Sequence, residues 1–211
     1  MYKNRNKMQF IEFRNKFKNQ YVFSKKDIEK LFPAYNKMNL VNWQKKGHIT
    51  RIRNSWYCFS EINEIKSYNL LIANKIYKPS YVSLETALSF YGFIPEGVFL
   101  TTSVSSRKTI EFDTKLGVYS YKSIKENLFF GYKLLNSDKS IIKIAEPEKA
   151  ILDFLYLKKN INNINDITSL RLNKNEIKLV VDFKKLHNYA SLFNSKKLDS
   201  KIKLLEKYIY A

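Results

Sequence analysis

The sequence predicts an α+β chain in two parts: a small module of helices and a hairpin, then a mixed α/β domain with terminal helices. Three observations carry this. Capped helical spacings up to Gly47 give way to two β-type runs before Ser60. Between Tyr81 and Ile144, β-type runs alternate with turn residues. From Ala145 to Ile209, apolar residues recur at helical spacing.

Taken in order, Met8, Ile11, Phe13 and Phe17 mark a first helix with an apolar stripe and a basic outer face. Ser24 with Asp27 has the form of a helix N-cap followed by a first-turn acid, so a second helix is expected from there, with Ile28, Leu31 and Phe32 on its inner face. Pro33 ends it, because the residue before a proline is pushed out of helical geometry. A third helix is expected from Tyr35 to Lys46, with Leu40, Trp43 and Gln44 on one side and Tyr35, Met38, Asn42 and Lys45 on the other. Gly47 stops it. Ile49, Ile52, Trp56 and Cys58 then fall in two short strands around the turn pair Asn54-Ser55.

Helix, tight connection, helix and two-stranded wing is the plan of a winged helix-turn-helix domain, whose second helix enters the major groove while the wing rests on phosphate. The residue chemistry agrees. Asn39 and Asn42 can read an adenine edge, while Lys25, Lys26, Lys37, Lys45 and Lys46 can meet phosphates. Tyr35 shares the outer side, and Arg51, Arg53 and Asn54 crowd the wing. These residues form the candidate DNA-binding set.

The chain has 211 residues and a formal charge of +19, which favours a polyanionic partner. The excess is uneven: through Ser60 there are 14 Lys or Arg against 3 Asp or Glu, and after it 24 against 16. The single cysteine, Cys58, excludes an internal disulfide framework and fits a reducing compartment. The N-terminus lacks the apolar core of a secretion signal, and no apolar run approaches the roughly 20 residues that span a bilayer, so a cytoplasmic protein without a membrane partner is expected.

From Glu61 to Tyr77, Ile62, Ile65, Tyr68, Leu71, Ile72 and Ile76 predict one connecting helix. The boundary is placed near Lys78-Pro79, giving a DNA-binding domain with its connecting helix over 1–78 and a mixed α/β domain over 79–211. In the second domain, Ser83 can cap a helix expected to end at Gly92, and a Pro-Glu-Gly turn follows. Strands are expected over Val98 to Val104, Thr109 to Phe112, Val118 to Tyr121, Tyr132 to Leu135 and Ile141 to Ile144. Arg107 and Lys108 form a basic turn between the first two, offering donors to nucleic acid or to an acidic partner surface; a solvated turn explains them equally. Pro147 starts a helix through Leu157, with Ala150, Ile151, Phe154 and Leu155 as its buried stripe. Two or three terminal helices follow, carried by Leu179, Phe183, Leu186, Leu192, Ile202, Leu205 and Ile209.

The runs YVSLETALSFYGFIPE, TTSVSSRKTIEF (read as a hairpin), GVYSYKSIKENLFFGY and above all AEPEKAILDFLYL, set after the winged segment, resemble the AbiEi-type antitoxins of type IV toxin-antitoxin systems. The resemblance covers nearly the whole chain. It implies an antitoxin and transcriptional autorepressor that binds its own double-stranded promoter DNA and counteracts a nucleotidyltransferase-like toxin encoded beside it. In that family the winged domain carries repression and the C-terminal domain neutralisation.

The alternative is a standalone nucleic-acid-binding or processing protein using the same basic surface. For catalysis the candidates are thin. Glu146, Glu148 and Asp153 form the one compact carboxylate group, but Glu146 and Glu148 read as first-turn acids, and Lys149 with Asp153 as an exposed i,i+4 pair. His48 and His187 are isolated, and no phosphate-cradling glycine motif is present, so no catalytic residue, metal or cofactor is assigned.

Overall fold

The computed structural model describes residues 8–95, 97, 99–137 and 140–211. It is a mixed α+β protein with helices towards both ends. The predicted Pro-Glu-Gly turn and the start of the strand at Val98 fall partly outside the described residues.

The N-terminal part runs α1 (Phe10–Lys16), β1 (Val22–Ser24), α2 (Lys25–Leu31), α3 (Met38–Lys45), β2 (Ile49–Arg53) and β3 (Trp56–Phe59). The hairpin β2–β3 forms as its alternation predicts, and β1, which the sequence reading missed, pairs antiparallel with β3 to give the order β1-β3-β2. Three residues are too short for a period-2 signal to register. Between the helices and one side of this sheet lies a core of Phe13, Phe17, Phe23, Ile28, Leu40, Trp43, Ile49, Tyr57 and Phe59. Two apolar assignments fail: Leu31 is 47% exposed and Ile11 70% exposed. Aromatic side chains fill the space instead, and Phe10 packs where Ile11 was expected.

The expected single helix from Glu61 to Tyr77 is broken. A 3-10 turn covers Ser60–Glu64, the chain reverses through Ser67 at φ 62°, and α4 spans Tyr68–Ile76. Apolar spacing continues across the break because both pieces bury residues, so periodicity alone does not reveal it.

The second sheet has six strands: β4 (Tyr81–Val82), β5 (Leu100–Ser105), β6 (Ile110–Thr114), β7 (Gly117–Ser123), β8 (Tyr132–Ser137) and β9 (Ser140–Ala145), in the order β6-β7-β5-β4-β9-β8. Five of them match the expected runs. The hairpin reading of TTSVSSRKTIEF is corrected: β5 pairs in parallel with β7, and β6 pairs antiparallel with β7, so β7 lies between the two predicted partners.

Helices cover both faces. Successive strand residues point to opposite sides. Tyr81 donates its hydroxyl hydrogen to Asp153 on α6 (Pro147–Leu157), 2.8 Å away. Its neighbour Val82 shares a face with Ser103 and Tyr121, and Tyr121 donates to the Ala73 carbonyl on α4 at 2.8 Å. Helix α5 (Leu84–Phe90) packs on β5 and α6. After α6 come four helices rather than two or three, α7 (Ile164–Thr168), α8 (Lys174–Val180), α9 (Phe183–Ser191) and α10 (Lys196–Tyr210). Leu179 and Leu192, expected inside, are 81% and 55% exposed.

The large core includes Val22, Ile52 and Cys58 from the outer side of the small sheet together with Leu71, Ile72, Ile76 and residues of the six-stranded sheet. The N-terminal part is thereby packed onto α4. Burial pushes the Cys58 thiol up to about 12, so it remains protonated at neutral pH. No helix among the described residues is long and apolar enough to cross a membrane.

Candidate nucleic-acid interface

The caps that set α2 and α3 are local and fully formed. Ser24 Oγ accepts from the Asp27 N–H at 3.2 Å while Asp27 Oδ2 accepts from the Ser24 N–H at 2.7 Å, a reciprocal capping box. The third helix begins three residues later than expected, at Met38, because Pro33 to Lys37 form a turn in which Asn36 Oδ1 accepts the Met38 N–H at 2.9 Å. It closes on a Schellman motif: His48 N–H donates to the Trp43 carbonyl at 2.9 Å and Gly47 N–H to that of Gln44 at 3.1 Å. Gly47 sits at φ 71°, where a Cβ would strain the backbone.

These stops fix the rotation of α3. Leu40 and Trp43 enter the core, and Gln44 donates to the Leu40 carbonyl at 3.0 Å. Val41, Asn42, Lys45 and Lys46 face solvent, Lys37 stands exposed at the N-cap, and Asn39 is half-buried at the edge. Among the described residues, none of the side chains of Lys37, Asn39, Asn42, Lys45 and Lys46 has an ion-pair or hydrogen-bond partner. Lys26 is exposed and Lys25 half-buried in the first turn of α2, whose first N–H donates to the Ser55 carbonyl at the β2–β3 turn, 2.8 Å away. The tip of the hairpin is thus tied to the start of α2.

Two sequence-assigned residues, Tyr35 and Arg53, sit differently from expectation, while Asn54 sits at the tip as expected. Tyr35 lies in the turn before α3 rather than on the helix; it packs against the small core, its hydroxyl is enclosed, and burial raises its pKa. Arg53 is turned away from the tip: its guanidinium lies over the Phe112 ring of β6, 3.6 Å from the centroid, and Nη1 donates to the Ile76 carbonyl at 3.2 Å. It buttresses the hairpin against the second sheet, and burial lowers its pKa. Asn54 uses its side-chain carbonyl to accept from Arg51, and both remain exposed at the tip.

Arg107 and Lys108 lie in the connection that carries the chain from β5 across to β6. Arg107 stacks on Tyr77 at 4.7 Å and donates to the Lys78 carbonyl at 3.2 Å, while Tyr77 donates to the Lys108 carbonyl at 2.9 Å. The fold brings this turn next to Arg53, Lys75 and Lys78 around one cleft. Lys75 and Lys78 went unassigned in the sequence; their signal was an i,i+3 pair of cations at a helix end with no acid nearby.

Of the three carboxylates grouped around α6, Asp153 is sealed, whereas Glu146 keeps part of its side chain in solvent. Lys149 and Asp153 form an ion pair whose side chains are both 0% exposed, which corrects the reading of an exposed pair. Asp153 also accepts from Tyr81 and Ser83, each at 2.8 Å, and Lys149 donates to the Tyr81 hydroxyl at 2.8 Å. Burial raises the Asp153 pKa and lowers that of Lys149. Helical spacing alone placed the pair on the solvent side; the small Ser83 and the hydroxyl of Tyr81 make an interior site for it. Glu146 accepts from Tyr189 at 2.7 Å, and Glu148 accepts the Asp182 N–H at 3.1 Å, so the two tie α6 to the last turn and to the N-cap of α9. Among the described residues no cluster of His, Cys, Asp and Glu could hold a metal ion.

No protein-family model matches the chain, and no curated protein matches it.

Proposed function

We propose that this chain is a DNA-binding regulator of the winged helix-turn-helix type, with α3 entering the major groove and the β2–β3 tip resting on phosphate. The observation that carries this reading is the outer face of α3, where Asn42, Lys45 and Lys46 stand exposed without protein partners on a helix whose opposite side is fixed in an aromatic core. Donors left unpaired beside cations suit base edges flanked by phosphates. The order α1, β1, α2, α3, β2, β3 and the joining of the hairpin tip to α2 also fit that plan. Phosphate contact is assigned to Lys26, Lys37, Lys45, Lys46 and Arg51, and support of the hairpin to Arg53.

The resemblance to AbiEi-type antitoxins adds the biological role: repression of a shared promoter and neutralisation of a nucleotidyltransferase-like toxin, with no catalysis by this chain. The sealed Lys149–Asp153 pair supports a structural use of the carboxylates on α6. Base reading is tested at Asn42. Asn42→Ala is expected to weaken binding to the promoter duplex by about 1–3 kcal/mol and binding to random duplex far less, since a bidentate base contact counts only at the right base. Competition gel shifts with both duplexes measure this, and equal losses on the two would remove Asn42 from base recognition.

A further inference from the structure

The cleft between the hairpin and the second sheet holds a concentration of positive charge that the α3 surface does not explain. It encloses about 430 Å³, and its walls carry Arg53, Lys75, Lys78, Arg107 and Lys108, with no acidic residue among those that line it. A neighbouring cavity of about 480 Å³ shares Lys75 and Lys78 and adds Lys143, again without an acid. The cations come from four separate segments: β2, the end of α4 and the residues after it, the β5–β6 connection, and β9. Tertiary folding, not a local run of lysines, assembles them.

Two of the cations are held in place. Arg53 lies over Phe112 and Arg107 over Tyr77, and each spends one N–H on a backbone carbonyl, which leaves the rest of its donor fork available. None of the five belongs to an ion pair among the described residues. Bringing like charges together costs Coulomb energy that grows as the groups leave water. Lys75 registers that cost, its pKa being lowered by burial first and then by Lys78. A multiply charged anion seated among them relieves the repulsion, and guanidinium forks and ammonium groups match phosphate oxygens in geometry.

We propose that this cleft is a phosphate-binding site, separate from the outer face of α3, which takes either a backbone phosphate of a bound duplex or the phosphates of a free nucleotide. It opens beside the hairpin tip, since Arg53 and Trp56, which line it, flank Asn54-Ser55. Ligand binding there links the N-terminal part to the sheet.

The test uses the full chain and Lys78→Gln/Lys108→Gln, two exposed positions whose side chains support no other element among the described residues. Titration calorimetry with pyrophosphate is expected to show binding to the wild type and at least about tenfold weaker binding to the double variant, the scale of a lost charge-assisted contact. No binding to the wild type, or equal affinity for both, overturns the proposal. The source of the phosphate follows from duplex binding at several salt concentrations. Loss of the one backbone-phosphate contact flattens the log–log slope by about 0.9, whereas an unchanged slope with the pyrophosphate loss assigns the cleft to a free nucleotide. If the wild type binds pyrophosphate in the cleft but no duplex at all, the DNA reading fails while the phosphate site stands.

Discussion

Lys149→Met is expected to destabilise the part built on the six-stranded sheet by about 3–5 kcal/mol, because it leaves the Asp153 carboxylate buried without its cation. In the wild type Nζ reaches Asp153 and the Tyr81 hydroxyl and lies 5.1 and 5.2 Å from the ring centroids of Phe130 and Phe193, so no water replaces the lost charge without opening the core. Burial already raises the Asp153 pKa with Lys149 present, and removing the cation raises it further. A carboxyl whose folded pKa lies above its unfolded value contributes stability that is present below about pH 4 and lost as pH rises. The deficit of Lys149→Met is therefore largest at neutral pH and shrinks on acidification toward pH 4. Removing both charges with Lys149→Met/Asp153→Leu should recover part of the loss, since apolar replacement of a whole buried pair is often neutral but here leaves the Tyr81 and Ser83 hydroxyls without their acceptor. Urea melts of wild type, single and double variants at pH 7 and pH 5 measure all three effects, and a single variant within about 1 kcal/mol of wild type at pH 7 would show that the pair is hydrated.

Phe13→Ala is expected to cost about 3–5 kcal/mol and to fall on the N-terminal part. Phe13 is fully buried, with Phe17, Trp43 and Phe23 at centroid distances of 4.8, 4.7 and 5.2 Å, and it bridges α1 to α3 and β1. Its removal unseats the side of α3 opposite Asn42, so the duplex binding proposed for that helix is expected to fall with stability. Trp43 lies in the small core, whereas Trp56 packs against the large one, so in a Trp56→Phe background the fluorescence of Trp43 reports on the N-terminal part. The fluorescence transition is expected to move to lower urea than the far-ultraviolet dichroism transition, which the large core dominates. Transitions that shift together would mean that Val22, Ile52 and Cys58 couple the two cores into one cooperative unit.

Much of this architecture was legible where the signal is local. The Ser24–Asp27 capping box, the stop at Gly47, the hairpin around Asn54-Ser55 and Pro147 at the start of α6 each follow from a few adjacent residues. What escaped depends on partners distant in sequence. Strand β1 exists because β3 lies beside it, and the separation of β5 from β6 is decided by β7. The burial of Lys149 and Asp153 depends on Tyr81 and Ser83, some 70 residues earlier in the chain. The candidate site divides the same way. Asn42, Lys45 and Lys46 could be placed on one face from helical geometry, whereas the turning inward of Arg53 required Phe112, and the cations of the basic cleft come from three segments that carry no shared motif.

Contact between the outer face of α3 and a nucleic-acid backbone is measured by salt-titrated fluorescence anisotropy with a labelled duplex, comparing wild type with Lys37→Gln/Lys45→Gln/Lys46→Gln. These lysines are exposed and their side chains have no partners among the described residues, so the fold should be unaffected. Each phosphate contact contributes about 0.9 to the slope of log affinity against log salt. The wild type is expected to bind in a salt-dependent way, with a slope lower by about 2.7 in the triple variant. Absence of duplex binding by the wild type, or an identical slope in the two proteins, would contradict that contact.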